Sequence, residues 1–237
     1  MINTILFDLD GTLLPISSEA FEKIYFGGLS SHFTDMYPPE AFFKLIWDAT
    51  IVMMMDTTDR TNEEVFMNAL GNVVNEKLGE MQRRFEIFYQ SDFDKLKAAV
   101  IESTEMKEAV TLLKQKGYTL VIATNPMFPK IAIEKRISWT GMNREDFSYV
   151  TSFENNHYCK PQPKFFEEIL SDIKKNPDEC MMVGNDAQED MVAKVLGIQT
   201  YLITNHLIHR KDKPLVADIM GNYQDFLLYV QSLPSLK

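Results

Sequence analysis

Two aspartates lie one residue apart in the stretch TILFDLDGTLLP, which covers residues 4–15. Asp8 and Asp10 end an apolar run of strand type, and a glycine follows them directly. Alternate residues of a strand point to the same face, so the two carboxyl groups can converge where the chain leaves the regular pleat. A carboxylate pair of this kind can divide acid and base work or bind a cation.

Three plainer interpretations fit this segment when it is taken alone. Asp10-Gly11 between apolar runs is typical of a hairpin turn, and the two aspartates could also be surface decoration. A calcium loop would use Asp8, Asp10 and Glu19 as ligands, but Leu13 stands where that loop needs its glycine. The rest of the chain has to decide among these interpretations.

Short apolar runs of buried-strand type recur along the chain and alternate with charged segments of helical periodicity. The strand-like runs are TILFDL (4–9), TLVIAT (119–124), YVTSF (149–153), CMMVG (180–184) and QTYLIT (199–204). One helical segment covers 103–117, where Ser103 or Thr104 can cap the start and Gly117 ends the helix. The alternation predicts an α/β fold with a doubly wound, mostly parallel sheet.

Residues 16–97 break this alternation, because they show helical periodicity and no convincing strand. They predict an all-helical domain over 16–97, inserted into an α/β core domain formed by 1–15 and 98–237. Aromatic stretches of the insertion, such as AFFKLIW at 41–47, could line a pocket or a dimer contact. A helical domain must also bury an apolar stripe of its own, so core packing is the expectation for these residues.

Polar residues follow the predicted strands, at the edge where open parallel sheets bind their ligands. They are Asp8, Asp10, Thr124, Asn125, Lys160, Asn185, Asp186 and Asp190. Several carboxylates at one edge repel each other strongly unless a divalent cation neutralises them. Oxygen ligands without paired Cys or His favour Mg²⁺, while His206 and His209 are expected to be solvated.

A magnesium ion held by few protein oxygens keeps open positions for phosphate. The Lys160 ammonium, the Thr124 hydroxyl and the Asn125 amide could then supply further donors to the phosphate oxygens. Each of these residues alone is typical of an ordinary turn or loop. Their order after successive strands is what favours a common phosphate site.

The motifs DLDGTL, then Thr124, then Lys160 in KPQP, then GNDAQED occur in this order along the chain. In this order they resemble the four motifs of the haloacid dehalogenase superfamily. The resemblance covers the whole predicted sheet domain, and the helical insertion at 16–97 resembles the cap that closes over the site in that superfamily. It implies a Rossmann-like core and a magnesium-dependent phosphatase that cleaves a small phosphate monoester through an aspartyl-phosphate.

The resemblance also implies residue roles. Asp8 would be the nucleophile and Asp10 the acid and base, while Thr124 and Lys160 would hold the phosphoryl oxygens beside Asn125. Asp8 and Asp10, the latter through its backbone carbonyl, would hold Mg²⁺ together with an acid of the last motif.

The last motif departs from the usual pattern of the superfamily, which begins Gly-Asp. Here Asn185 follows Gly184, and the first acid comes one place later. We therefore expect Asp186 to be the metal ligand, with Asp190 supporting it or orienting Lys160. The assignment among Asn185, Asp186 and Asp190 stays open at this point.

Two other functions fit parts of the same pattern. A phosphosugar mutase of the same superfamily would use the same residues, and the feature that separates it lies in the cap. A phosphate-binding regulator without turnover would not need Asp8 and Asp10 together, so the intact pair disfavours it.

Composition bounds the partners and the location. The net charge of −10 disfavours a nucleic-acid-binding face, so we expect a small phosphorylated metabolite as partner, and no oligomeric state is predicted. No stretch approaches the roughly 20 apolar residues of a membrane span, and no signal-peptide pattern opens the chain. Only Cys159 and Cys180 are present, which fits a reducing compartment, and we expect a cytoplasmic protein.

Overall fold

A parallel sheet of six strands forms the centre of the computed structural model, which describes residues 1–101 and 103–237. The strands are β1 (Thr4–Phe7), β2 (Thr119–Ile122), β3 (Tyr149–Val150), β4 (Cys180–Gly184), β5 (Gln199–Ile203) and β6 (Ile219–Gly221). Their order across the sheet is β3-β2-β1-β4-β5-β6, and every neighbouring pair is parallel. The predicted α/β fold with a doubly wound parallel sheet is therefore confirmed.

Helices flank this sheet and also form a separate group after β1. The α-helices are α1 (Ser18–Ser31), α2 (Pro39–Met55), α3 (Asn62–Val74), α4 (Leu78–Ile87), α5 (Glu105–Lys116), α6 (Lys130–Trp139), α7 (Pro163–Ile173) and α8 (Tyr223–Ser232). We call α1 to α4 the cap helices. The division into a core of 1–15 and 98–237 and a cap of 16–97 stays a prediction.

The sheet is buried on both faces, which explains why its strands read as continuous apolar runs. Along β1, Ile5 and Phe7 pack into one apolar cluster, while Leu6 between them packs into the cluster on the opposite face. The first cluster includes residues of α5 and α8, and the second includes residues of α7. The central strand β1, paired on both sides, is thereby held rigidly with its carboxyl end at one edge.

Helix 103–117 begins and ends close to its predicted limits. Gly117 ends α5 in the left-handed conformation, with φ of 89°, as the sequence predicts. At the start, Thr104 holds the N-cap position but its side chain makes no capping hydrogen bond. The Ser103 hydroxyl instead donates to the Glu105 carboxylate at 2.5 Å, so the predicted side-chain cap is wrong.

The sheet differs from the sequence prediction at its edges. Strand β3 is limited to Tyr149–Val150, and strand β6 was not predicted at all. The edge strand β6 has three residues and is only partly buried, so it lacks the continuous apolar run that marks the inner strands.

Helix α2 divides the aromatic stretch 41–47 between two environments. Phe42 and Ile46 are buried in the apolar cluster of the cap helices, as core packing predicts. Phe43 and Trp47 are 42% and 48% exposed, so the packing expectation is wrong for this side of the helix. Across residues 1–101 and 103–237, every helix is too short or too polar to cross a membrane.

Candidate active site

The chain leaves β1 through a tight turn that presents two carboxyl groups to a cavity. The Asp8 N–H still donates to the Val183 carbonyl at 2.9 Å, and the Gly11 N–H then donates to the Leu14 carbonyl at 2.8 Å. Gly11 has φ of 78°, a conformation that residues with a Cβ rarely adopt. Asp8 and Asp10 line a cavity of about 480 Å³ beyond this turn.

Asn185 fixes this turn against the loops that follow β4 and β5. Its Oδ1 accepts from the Thr12 hydroxyl at 2.9 Å, and its Nδ2 donates to the His206 carbonyl at 2.7 Å. A Cβ on Gly11 would lie 2.4 Å from the Nδ2, so the two loops meet closely only because Gly11 has no side chain. Both polar atoms of the Asn185 side chain are thus used in joining loops.

Lys160 is the central cation of the site and is 1% exposed. Its Nζ donates to the Asp8 carboxylate at 2.9 Å and to the Asp190 carboxylate at 2.6 Å. Burial alone lowers the pKa of a lysine, but the charges of Asp190 and Asp8 outweigh burial and raise the pKa of Lys160. The ammonium is therefore a fixed positive charge that joins the ends of β1 and β4.

The position of the Asp190 carboxylate depends on the glycine at the end of β4. A Cβ on Gly184 would lie 2.1 Å from the Asp190 carboxylate, so this approach requires glycine. The second Asp190 oxygen accepts from the Asp186 N–H at 2.8 Å. Burial raises the pKa of Asp190, although the Lys160 charge acts in the opposite direction. Its contact with Lys160 is the one expected of a residue that orients that lysine.

Asp186 has a different set of partners. Its Oδ1 accepts from the backbone N–H groups of Gln188 and Glu189, both at 2.8 Å. Both carboxylate oxygens also accept from the Arg210 guanidinium, at 3.0 and 3.1 Å. Arg210 is half-exposed and also pairs with Glu189 at 3.0 Å. Asp186 is thus held in place beside the cavity by an arginine that the sequence interpretation missed.

Arg136 of α6 is a second cation that the sequence interpretation missed. It is 1% exposed, donates to the Asp10 carboxylate, and lies over the Phe128 ring at 4.5 Å. Within the described residues, Asp10 Oδ1 and Arg136 Nη2 are buried without a hydrogen-bond partner. Burial raises the pKa of Asp10, and the Arg136 charge opposes that rise. The available signal was a charged residue on the apolar face of a helix, beside Ala132 and Ile133.

Thr124 and Asn125 follow β2 and complete this side of the cavity. Thr124 is buried, and its carbonyl accepts from the Thr151 hydroxyl at 2.6 Å. The Asn125 Oδ1 accepts from the Lys160 N–H at 3.2 Å, and its Nδ2 donates to Glu189 at 3.4 Å. The structure brings every predicted site residue to this one cavity, namely Asp8, Asp10, Thr124, Asn125, Lys160, Asn185, Asp186 and Asp190.

The capacity of the site for a metal follows from its donors. Among residues 1–101 and 103–237 there is no group of three or more His, Cys, Asp or Glu side chains with metal-binding geometry. Both Asp190 oxygens are used, one by Lys160 and the other by the Asp186 N–H, whereas Lys160 contacts only Oδ1 of Asp8. The partner of Asp186 is the half-exposed Arg210, which a cation could replace, so Asp8 and Asp186 are the carboxylates beside the cavity that best fit a cation, with backbone oxygen. Few protein ligands, all oxygen, are what Mg²⁺ accepts, because it keeps several waters. The residues therefore fit this ion.

The cysteines have no part in this chemistry. Cys159 and Cys180 are both buried and free, and burial raises the pKa of each thiol to about 12. Thiols with so high a pKa stay protonated near neutral pH and are poor nucleophiles.

Comparisons with known proteins agree on one family. The family model described as haloacid dehalogenase-like hydrolase matches residues 2–197. The pyrophosphatase PpaX of Bacillus cereus (strain Q1) is 25% identical over 203 residues, which cover 86% of this chain and 83% of that protein.

Solved structures share the fold over nearly their whole length. A HAD phosphatase from Thermococcus onnurineus has a TM-score of 0.62 at 20% identity, covering 99% of this chain and 100% of the other. CbbY from Rhodobacter sphaeroides in complex with phosphate has a TM-score of 0.60 at 16% identity, covering 95% and 96%. The matched range includes Asp8, Thr124, Lys160 and Asp190, all of which line the one cavity. The chain belongs to the haloacid dehalogenase-like hydrolase family.

Proposed function

We propose that the protein is a magnesium-dependent phosphatase that hydrolyses a small phosphate monoester through an aspartyl-phosphate on Asp8. The observation that carries this proposal is Lys160, buried between the carboxylates of Asp8 and Asp190 at the cavity. A fixed ammonium beside a carboxylate suits attack on an anionic phosphoryl group, because it offsets their mutual repulsion. The pyrophosphatase relative from Bacillus cereus supports phosphoryl chemistry.

In the first step, a carboxylate oxygen of Asp8 attacks phosphorus, and the bond from phosphorus to the ester oxygen breaks. In the second step, water attacks the same phosphorus, which releases inorganic phosphate and restores the Asp8 carboxylate. Lys160 neutralises charge on the phosphoryl oxygens in both steps, and the Thr124 hydroxyl, with the Asn125 amide nearby, adds neutral donors.

Asp10 serves the two steps as acid and then as base. Its raised pKa favours the protonated form, which donates a proton to the departing alkoxide. The resulting Asp10 carboxylate then accepts a proton from the attacking water. The Arg136 guanidinium stabilises this charged form and holds one carboxylate oxygen in place.

We assign the Mg²⁺ ligands to Asp8, the backbone carbonyl of Asp10, and Asp186, with Asp190 orienting Lys160. When bound, the ion would offset negative charge on the phosphoryl oxygens. The proposal keeps 16–97 as the cap and 1–15 with 98–237 as the catalytic core. A small phosphorylated metabolite is the proposed substrate, and a cytoplasmic location is consistent with two free, buried cysteines.

Phosphate release from a panel of phosphomonoesters tests this function, with Mg²⁺ and with EDTA. We expect turnover that needs Mg²⁺ and falls on the order of a thousandfold in Asp8→Asn. Asp178→Asn, an exposed aspartate far along the chain, is the matched control and should behave as the wild type. Mass spectrometry of acid-quenched enzyme should find one phosphoryl group on the peptide that contains Asp8.

Two results would overturn the proposal. Turnover that survives Asp8→Asn would show that another residue is the nucleophile, and phosphate binding without turnover of any ester would indicate a regulator. Transfer of the phosphoryl group between positions of a sugar, without release of phosphate, would indicate a mutase instead.

A further inference from the structure

The cavity that Asp8 and Asp10 line is also lined by six aromatic side chains. The cap helices α1 and α2 and the loop before α6 contribute them: Phe21, Tyr25, Phe26, Phe43, Trp47 and Phe128. Ser18 and Glu22 of α1 are the polar residues that the cap helices add within the described part of the chain. The part of the described lining that the cap helices supply is therefore mainly aromatic.

Some of these rings are explained by packing. Phe128 makes an edge contact with Phe21 at 6.1 Å between centroids and another with Tyr25 at 5.3 Å. Both contacts join α1 to the loop before α6, and all three residues pack against the apolar clusters of the fold. These rings hold the cap helices against the core and need no ligand to account for them.

Phe43 and Trp47 are not explained in this way. They lie one helical turn apart on α2, with ring planes within 9° of each other and centroids 6.2 Å apart. Phe43 is 42% exposed and Trp47 is 48% exposed, although both line the cavity. Phe26 makes an edge contact with Phe43 at 4.8 Å and supports it from α1. We call these three residues the aromatic wall.

We propose that the aromatic wall binds a flat aromatic or heteroaromatic ring carried by the alcohol part of the phosphate monoester. This inference rests on the proposed function and names its substrate class. Both rings are partly exposed at the cavity, and aromatic pairs gain stability in offset-stacked or edge geometry beyond the burial of their area. A cavity of about 480 Å³ lies within the range of small-molecule sites.

The same wall disfavours a polyhydroxylated alcohol. Each hydroxyl group of a sugar or glycerol loses its hydrogen bonds to water in the cavity and needs a protein partner in return. The Phe26 and Phe43 rings supply none, the Trp47 indole offers a single N–H donor, and Ser18 and Glu22 are the other polar side chains that the cap helices add to the described lining. The wall therefore favours an aromatic ring over a polyhydroxylated alcohol, while Lys160 and Asp8 are left to act on the phosphoryl group.

Esters with matched leaving groups test the inference. Benzyl, pyridylmethyl and cyclohexylmethyl phosphate all lose a primary alkoxide, so differences among them report on the ring and not on bond reactivity. We expect kcat/KM for the two aromatic esters to exceed that for cyclohexylmethyl phosphate and for glycerol phosphate about tenfold. Equal values for the aromatic and the saturated ring would overturn the proposal.

Variants of the wall supply the second arm. Trp47→Ala and Phe43→Ala should raise KM for benzyl phosphate about fivefold to tenfold, and change KM for glycerol phosphate less than about twofold. Trp47→Phe should restore most of the loss, which a merely structural role would not require. Ile51→Ala is the matched control, because Ile51 lies one turn further along α2, is 41% exposed, and falls outside the described lining of the cavity.

A spectroscopic arm separates binding from turnover. The chain has two tryptophans, so Trp139→Phe leaves Trp47 as the one tryptophan, and excitation selective for indole reports on it. In an Asp8→Asn and Trp139→Phe protein, pyridylmethyl phosphate should change the intensity or wavelength of the Trp47 emission with saturation, and glycerol phosphate should not. An emission that no aromatic ester changes would overturn the proposal.

The outcomes also separate this inference from the proposed function. If glycerol phosphate and similar aliphatic esters turn over best, the result supports the proposed phosphatase and contradicts the aromatic site. If no ester turns over, the proposed phosphatase is wrong, and the Trp47 emission alone decides whether the aromatic wall binds a ring. If Trp47→Ala and Phe43→Ala change the oligomeric state in light scattering and leave every KM unchanged, the wall is an interface between copies and the proposal is wrong.

Discussion

At the scale of single residues, the site is organised by opposite charges that are out of contact with water. Lys160 and Asp190 are each 1% exposed, and Asp8 shares the same ammonium. A buried ion pair adds little net stability, but the loss of one partner leaves an uncompensated charge that is costly. The buried lysine therefore carries both a structural and a proposed catalytic role.

Removal of Lys160 should lower stability as well as activity. Lys160→Met leaves Asp8 and Asp190 without their cation, so we expect the free energy of unfolding to fall by about 3 kcal/mol or more. Lys160→Met combined with Asp190→Asn removes one of the stranded charges and should regain part of that loss. Urea unfolding in EDTA measures both proteins, and a double variant no more stable than the single one would contradict the explanation.

At the scale of elements, glycines decide how closely loops and helices approach each other. Gly11 combines a φ of 78° with contact against Asn185, whereas a Cβ on Gly27 of α1 would meet nothing within 4 Å. Replacement of glycine by alanine should therefore change the stability of the protein in opposite directions at Gly11 and at Gly27. The turn that carries the reacting aspartates has no tolerance for a methyl group, and the exposed helix has room for one.

Gly11→Ala should destabilise the protein by about 2 kcal/mol or more, because it forces a strained backbone and displaces Asn185. Gly27→Ala should stabilise it by about 0.5 to 1 kcal/mol, since alanine is the better helix former. Thermal unfolding monitored by circular dichroism compares the two. Equal shifts in both variants would show that the loop contact at Asn185 does not limit the turn.

The inner elements could be predicted from sequence because their causes are local. The runs at β1, β2, β4 and β5 are apolar on both faces, and Gly117 marks the end of α5 by its own conformation. Sequence separation explains the features that were missed. Arg136 and its partner Asp10 are 126 residues apart in the sequence, and Arg210 and its partner Asp186 are 24 apart. Neither pairing therefore has a signal in the local sequence.

The aromatic stretch at 41–47 also contains a feature that the local sequence does not determine. Helical periodicity separates Phe42 and Ile46 from Phe43 and Trp47, but it does not show which side the rest of the fold will cover. The apolar cluster of the cap helices buries Phe42 and Ile46, whereas Phe43 and Trp47 line the cavity. The residues that follow the strands, in contrast, were expected at one edge because parallel strands bring their carboxyl ends together, and they line one cavity.

At the scale of the whole molecule, one cluster of rings joins the cap helices to the core. Phe93, at 0% exposure, follows α4 and contacts Phe21 of α1, Phe128 before α6, and Trp139 at the end of α6. Its ring stacks on that of Trp139 with 5.6 Å between centroids. The cluster ties segments far apart in sequence, so we expect cap and core to unfold together.

Phe93→Ala should test this coupling by opening a cavity inside the cluster. We expect a loss of about 3 to 5 kcal/mol in the free energy of unfolding, with a single cooperative transition. Leu228→Ala, at a side chain that is 53% exposed, is the control and should shift stability by less than about 0.5 kcal/mol. A biphasic urea transition in the wild type would show instead that the cap unfolds independently.

The burial of Lys160 also determines how this residue reacts with electrophilic reagents. An amine reacts with acylating or carbamylating reagents only as the free base and only where the reagent can reach it. Lys160 has a raised pKa and is 1% exposed, so it stays charged and shielded while the outer lysines are acylated. Covalent labelling of a folded sample would therefore modify the surface and leave the centre of the site intact.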